Sequence, residues 1–270
     1  MSKRFTYWNG FSSSLASYTT DFITETGISD VTIINALTAF EASLTSAGII
    51  DYAFPASNKI RALYVIVGGT AALHKYNFLD PRDLDAAFRL TFFGGMSHSS
   101  TGMVGNGTTG YANTHLTPST WLSQNDTHRS VYVRDNTAAP EVEIGAIVDF
   151  SNLLNISTRF SDSKMYYSAN GPFTGVANSD SRGMFTASRL ASGSNQAYKN
   201  GVLFDSSSQI SKTLIGFDIL LSARNISGTP RSNSSKEISL ASVGSGMTAT
   251  EASDYYNAVQ TLQTSLSRQV

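Results

Sequence analysis

The sequence predicts a mainly β protein, two stacked antiparallel sheets with two peripheral helices, and three observations lead there. The stretch NQAYKNGVLFD (195–205) reads as a β-hairpin, with alternating and apolar arms on either side of Asn200-Gly201. Asn-Gly suits a two-residue type I′ turn because both central positions need φ > 0, where Gly meets no steric penalty and Asn a small one. Short β-branched or alternating segments recur along the chain, separated by turn residues at the spacing of a sandwich. Finally, two segments carry clear helical periodicity, and the ends of both are marked.

In chain order, residues 1–28 carry Phe5, Tyr7, Trp8, Phe11, Tyr18 and Phe22 without periodicity of either kind. They read as an N-terminal arm with short extended pieces, and 29–270 as one β-sandwich domain. Aromatics this dense gain by packing, either on their own domain or on a neighbouring subunit. Phe5, Tyr7, Trp8 and Phe11 are the arm's candidate assembly contacts. Residues 29–47 place Ile33, Leu37, Phe40 and Leu44 on one stripe, with Ser29 or Asp30 as N-cap and Gly48 past the C-terminus. That helix faces a core rather than a membrane surface, since its polar face lacks Lys and Arg. IRALYVIV (60–67) reads as a buried strand ended by Gly68-Gly69, and AAFRLTFF (86–93) as a half-buried one. Pro81 marks the segment 79–85 between them as a turn. Residues 94–120 form a long Gly/Ser/Thr/Asn-rich loop, of a length that is often functional or interfacial. Further strands are expected at 129–134, 142–150, 153–160, 184–190, 214–223 and 237–243. Thr248-Ala249-Thr250-Glu251 is a capping box opening a helix to about residue 267, whose Ala252, Tyr255, Val259, Leu262 and Leu266 make one apolar face.

Composition excludes several functions. The 270 residues carry a net charge of −1, which leaves no basic excess to neutralise a phosphate backbone, so nucleic acid is not an expected partner. Charged residues are 14% of the chain, against about 25% in typical soluble domains, and neutral polar residues fill the gap. With no cysteine, neither disulfides nor thiolate metal sites hold the fold. No run approaches the ~18 apolar residues of a membrane-spanning helix, so membrane insertion is not expected. MSKRFTYWNGFSSS has a basic start but no apolar segment behind it, which predicts synthesis in a cytoplasm without an export signal.

Three stretches carry a resemblance: VGGTAALHKYNFLDPRDLDAAFRLTFFGG (67–95), NGTTGYANTHLTPST (106–120) and GMTATEASDYYNAVQTLQTSLSRQV at the end. Together they resemble a domain recurrent in tailed-bacteriophage virion proteins, over about residues 29–270. The resemblance implies a concanavalin A-like or laminin G-like jelly roll. It also implies a non-enzymatic structural role in the virion, in the tail, a fibre or the capsid decoration. Other virion proteins would be the partners, and the chain would form a homo-oligomer; the arm at 1–28 lies outside the resemblance, and its aromatics make it the expected attachment element. Jelly rolls of this kind also bind sugars, so recognition of a host-surface glycan is the alternative. Tyr111, His115 and Trp121, in and beside the 94–120 loop, are the residues to examine for it.

No catalytic motif supports an enzyme. Asp80, Asp83 and Asp85 could offer oxygens to Ca2+, which laminin G-like folds sometimes bind, but their spacing is not that of a calcium loop. An ion-paired turn with Arg82 and Arg89 is the plainer reading. Glu141 and Glu143, two apart on an expected strand, face the same way. A solvated strand face accounts for them better than the paired carboxylates of a glycoside hydrolase. His74, His98, His115 and His128 are scattered, without the spacing of a zinc helix. Tyr166 and Tyr167, like Tyr111 and Trp121, are able to stack on sugar rings, though such residues more often serve as core or subunit contacts.

Overall fold

The computed structural model describes residues 16–270. Five α-helices lie along the described residues: α1 (Tyr18–Thr26), α2 (Val31–Ser46), the single turns α3 (Ala71–His74) and α4 (Pro118–Trp121), and α5 (Ala249–Ser265). The strands are β1 (Ile60–Val65), β2 (Thr91–Phe93), β3 (Ser97–His98), β4 (Met103–Val104), β5 (Tyr111–Asn113), β6 (Thr127–Val133), β7 (Ile144–Asp149), β8 (Asn152–Ser157) and β9 (Lys164–Gly171). They continue with β10 (Thr174–Ala177), β11 (Gly183–Arg189), β12 (Asn195–Lys199), β13 (Val202–Ser207), β14 (Leu220–Leu221), β15 (Arg224–Ile226), β16 (Thr229–Arg231) and β17 (Glu237–Gly244).

These strands build the expected two-sheet sandwich. One sheet runs β13-β12-β11-β6-β17-β4-β3, with β1 also on β17; the other runs β10-β9-β8-β7-β14-β5-β2, with the β15–β16 hairpin joined to β7. All pairings are antiparallel except β15 on β7, which is parallel. Between the sheets lies the first core, including Tyr64, Phe88, Val131, Ile156, Tyr167 and Phe185. A second core lies between the outer face of the eight-stranded sheet and α1, α2 and α5. The layers are therefore helices, sheet, sheet, and among the described residues no helix covers the outer face of the nine-stranded sheet. Strand β1 is buried on both faces, with Ala62 and Tyr64 in one core and Leu63 and Val65 in the other, which explains its apolar run beyond Arg61.

The Asn200-Gly201 hairpin forms as the sequence predicts, with φ of 51° and 74°. Its tip sits under α5: a Cβ on Gly201 would lie 3.0 Å from Ser253 Cα. Asp30 caps α2 by accepting from the Thr32 and Ile33 amides, and the Thr248/Glu251 capping box is complete at α5. Elsewhere the structure corrects the expectations. Residues 18–26 are not extended: Tyr18 and Phe22, four apart, lie on one helical face and are buried in the second core. The Glu41 carboxylate on α2 accepts from the Tyr18 and Thr19 amides at 2.8 Å each, which closes the exposed start of α1. Glu41→Ala leaves both amides without an acceptor and is expected to cost about 1–3 kcal/mol. Urea unfolding reads the loss, and faster amide exchange across Tyr18–Thr26 locates it. The remaining arm residues Phe5, Tyr7, Trp8 and Phe11 lie outside the described residues.

The strand expected over 86–93 is broken, because Asp85–Ala87 form a 3-10 turn and Phe88 adopts φ 61°, leaving Thr91–Phe93 in the sheet. The segment 94–120 is not a bare loop; it holds β3, β4, β5 and the start of α4. Of the strand expected over 214–223, Leu220–Leu221 pair as β14. Strands β9 and β10, unforeseen, extend the outer edge of the nine-stranded sheet.

Candidate functional site

The three residues proposed for sugar contact go to separate surroundings. Tyr111 stacks on Phe93 across the β2–β5 pair, with centroids 4.9 Å apart and planes at 13°. His115, at φ 54°, places Nε2 at 2.8 Å from Thr91 Oγ1 and 3.5 Å from Asp85 Oδ1. Trp121 lies under the Arg61 guanidinium at 4.8 Å, with Phe88 edge-on at 5.2 Å. Trp121 lines a cleft with Arg61, Asp80, Arg82 and Phe88 that neither Tyr111 nor His115 enters.

The acidic turn is held by ion pairs. Arg82 grips Asp80 with two hydrogen bonds, Lys75 and Arg89 reach Asp83, and Arg89 also reaches Asp85. The hydrogen bonds from Lys75 and then Arg89 hold the Asp83 carboxyl below the usual carboxylate range. Among the described residues no group of three His, Cys, Asp or Glu side chains converges as a metal site. His74 and His98 do meet, Nδ1 to Nδ1 at 3.0 Å.

Glu141 and Glu143 face the same way, as their spacing implies, but they are not solvated. Glu143 is fully buried, accepting from Lys236 Nζ at 2.8 Å and the Thr158 amide at 2.6 Å; Glu141 accepts from Ser235 Oγ at 2.7 Å. The partner that makes burial tolerable, Lys236, comes from the start of the last strand region, distant in sequence.

The outer face of the nine-stranded sheet carries a different arrangement. On β8 and β9, inward-facing Leu154, Ile156, Met165 and Tyr167 alternate with outward-facing Leu153, Asn155, Ser157 and Tyr166. Tyr166 pairs with Ser157 on one side and Gly175 on the other. Its ring lies over Gly175, where a Cβ would fall 2.6 Å from Cε1. The turns supply the walls. Phe150, from the β7–β8 turn, and Phe173, from the β9–β10 turn, meet at one end with centroids 5.8 Å apart. Tyr166 packs edge-on to Phe173 at 5.3 Å and to Phe160, from the β8–β9 turn, at 5.6 Å. Arg224, opening β15, sits 5.7 Å from the Phe150 ring and closes the circuit.

Inside this circuit is a cleft of about 320 Å³. Phe150 is 65% exposed and Phe173 39%, a dense apolar presentation for a sheet face. Two polar groups at its floor lack partners: Asn155 Oδ1, on a residue 4% exposed, and Arg224 Nε. Asp162, at the Phe160 end, accepts from the Tyr166 hydroxyl at 2.7 Å, which holds its carboxyl below the usual range. Of the cleft's aromatics the sequence reading singled out Tyr166 alone, and its neighbour Tyr167 points into the core. The signal for the rest was an aromatic at three successive β-turns (Phe150, Phe160, Phe173), visible once β9 and β10 are recognised as strands.

No family model matches the chain, and no curated protein matches it in sequence. Solved structures do match in fold. A Trypanosoma rangeli sialidase mutant displaying trans-sialidase activity aligns with a TM-score of 0.55 at 10% identity, over 85% of this chain and 38% of the sialidase chain. The T. rangeli sialidase in complex with sialic acid aligns at 0.52 and 11%, over 83% and 37%. Domain 4 of AbnA, an extracellular arabinanase from Geobacillus stearothermophilus, in complex with arabinotriose, aligns more loosely, at 0.48 and 13%, over 73% and 98%. The chain thus spans under two-fifths of the sialidase chains it matches, and at these identities the likeness is one of β-sandwich fold.

Proposed function

We propose that the chain is a non-enzymatic carbohydrate-binding module that lays a sugar on the aromatic cleft of its nine-stranded sheet. The observation that carries this reading is the circuit of Phe160, Tyr166, Phe173 and Phe150 around a cavity floored by a buried, unpartnered Asn155 oxygen. Pyranose rings present C–H faces that pack on aromatics and hydroxyls that need fixed polar partners, and this cleft offers both. Its volume is at the lower end of small-molecule sites, about 300–1,000 Å³, which suits one or two sugar rings. Hydrolysis is disfavoured because a paired-carboxylate mechanism needs two carboxyls across the sugar. Among the described residues Asp162 is the one carboxylate lining this cleft, while Glu141 and Glu143 are turned to Ser235 and Lys236. On a glycan array the protein is expected to give discrete signals. Tyr166→Ala and Phe173→Ala should each weaken the best ligand at least tenfold with little change in melting temperature. Binding unaffected by both substitutions would move the site elsewhere, and an array without signal would remove the reading.

The sequence resemblance favours a second reading compatible with the first, that the module is a structural component of a tailed-phage virion. Residues 80–95 are the more specific part of that resemblance. Mass spectrometry of purified particles decides it: the protein is expected among the virion proteins, and its absence would refute the reading.

A further inference from the structure

We propose that the saccharide bound by this cleft is acidic, and that Arg224 binds its carboxylate or sulfate group. The proposal rests on reading the cleft as a glycan site, and adds the chemical class of the ligand. Among the described residues the other buried or half-buried arginines have named acceptors or a stacking partner. Arg134 pairs with Glu237, Arg89 with Asp83 and Asp85, and Arg189 donates to the carbonyls of Ala169 and Gln209. Arg224 is half-buried, yet its guanidinium has neither an ion pair nor a hydrogen bond, its Nε is enclosed without an acceptor, and its one aromatic neighbour is Phe150 at 5.7 Å. A cation taken partly out of water in an apolar cleft is costly unless something negative meets it. The planar fork of a guanidinium matches a carboxylate or sulfate with two parallel hydrogen bonds.

Arg224 pairs in parallel with Gly145, and Gly145 pairs with Asn155 on the other side. A Cβ on Gly145 would stand 3.0 Å from Asn155 Oδ1 and 3.2 Å from Arg224 Cβ, so the glycine lets Asn155 and Arg224 close in on either side of β7 at one end of the cleft. Charge also fixes the direction of the ligand. Asp162 lines the Phe160 end of the cleft, and Arg224 the Phe150 end. An acidic sugar is repelled from the first and drawn to the second, with a hydroxyl left to bond Asn155 Oδ1.

Titration calorimetry on the full chain tests this with matched probes: uronic acid oligosaccharides, the same oligosaccharides methyl-esterified, and sulfated galactan oligosaccharides with their desulfated forms. The acidic member of a pair is expected to bind at least tenfold more tightly, by a margin that shrinks as salt rises, and the pair showing the margin identifies carboxylate or sulfate as the anion. Arg224→Gln should erase the margin between the acidic and neutral members, and Arg224→Lys should retain part of it; melting curves confirm that both variants fold. Equal affinity for the two members of every pair, with binding still lost in Tyr166→Ala, would overturn the acidic class and leave the glycan site standing. Absence of binding by every probe would overturn both.

Discussion

Lys236→Met is expected to bring the protein close to unfolding. The Lys236 ammonium and the Glu143 carboxylate are both fully buried and 2.8 Å apart, with Glu141 3.6 Å from the same nitrogen. Methionine fills a similar volume but leaves a carboxylate enclosed with no cation. Breaking a buried pair from one side costs about 3–5 kcal/mol. Total stabilities of domains are about 5–15 kcal/mol, so the loss is a large share of what holds the fold. Removing both charges together, with Glu143→Gln added to Lys236→Met, should recover part of the loss, because the main penalty is the unpaired charge. Urea unfolding of the two variants decides it, and a loss below about 1 kcal/mol for the single variant would contradict a buried charge cluster.

Acidification is expected to destabilise the protein well before its carboxylates titrate. His128 is fully buried, donating from Nδ1 to the Ser245 carbonyl and accepting at Nε2 from Ser242 Oγ. His74 accepts from the Gly69 amide at Nε2, so its proton is on Nδ1 and goes to His98. Both imidazoles are therefore held neutral. Burial pushes His128 down to about 4 and His74 to about 3. An unfolded histidine titrates near pH 6.5, so above that pH neither state takes up the proton and stability is at its full value. As pH falls below 6.5 the unfolded state gains protons that the folded state refuses, and stability is lost at up to about 1.4 kcal/mol per unit for each residue. Between pH 6.5 and 4.5 the two together remove about 5 kcal/mol. Melting temperatures should fall steeply over this window, and His128→Asn with His74→Gln should flatten the slope. A melting temperature unchanged from pH 7.5 to 4.5 would show that these imidazoles do not stay neutral in the fold.

Where the sequence announced the fold, it did so through local chemistry. Asn200-Gly201 demanded a turn, Thr248 with Glu251 opened a helix, and the apolar run of β1 beyond Arg61 recorded burial on both faces. What stayed hidden depended on distant residues or on backbone choices that residue type does not encode. Phe88 enters the left-handed region, which no phenylalanine advertises, and so ends an otherwise convincing strand. Tyr18 and Phe22 were four apart all along, but they followed the aperiodic aromatics of 5–11 and were absorbed into one arm. Glu141 and Glu143 read as solvated because the lysine that meets them is 93 positions beyond Glu143. The candidate site was the least legible part. Alternation along β9 shows that Tyr166 and Tyr167 face opposite ways, but which of them faces solvent follows from how the sheets stack. The cleft walls come from three turns and the separate strand β15, brought together by pairing that no local pattern states.

A sugar seated on the outer face of the nine-stranded sheet would perturb a defined set of residues. Titrating isotope-labelled protein with the strongest glycan from an array, and following the amide and arginine side-chain NMR resonances, tests it most directly. Shifts are expected to concentrate at Phe150, Asn155, Phe160, Tyr166, Phe173 and the Arg224 guanidinium, with Trp121, Tyr111 and His115 unmoved. Shifts confined to Trp121, Arg61 and the 94–120 segment, with the cleft residues silent, would contradict it.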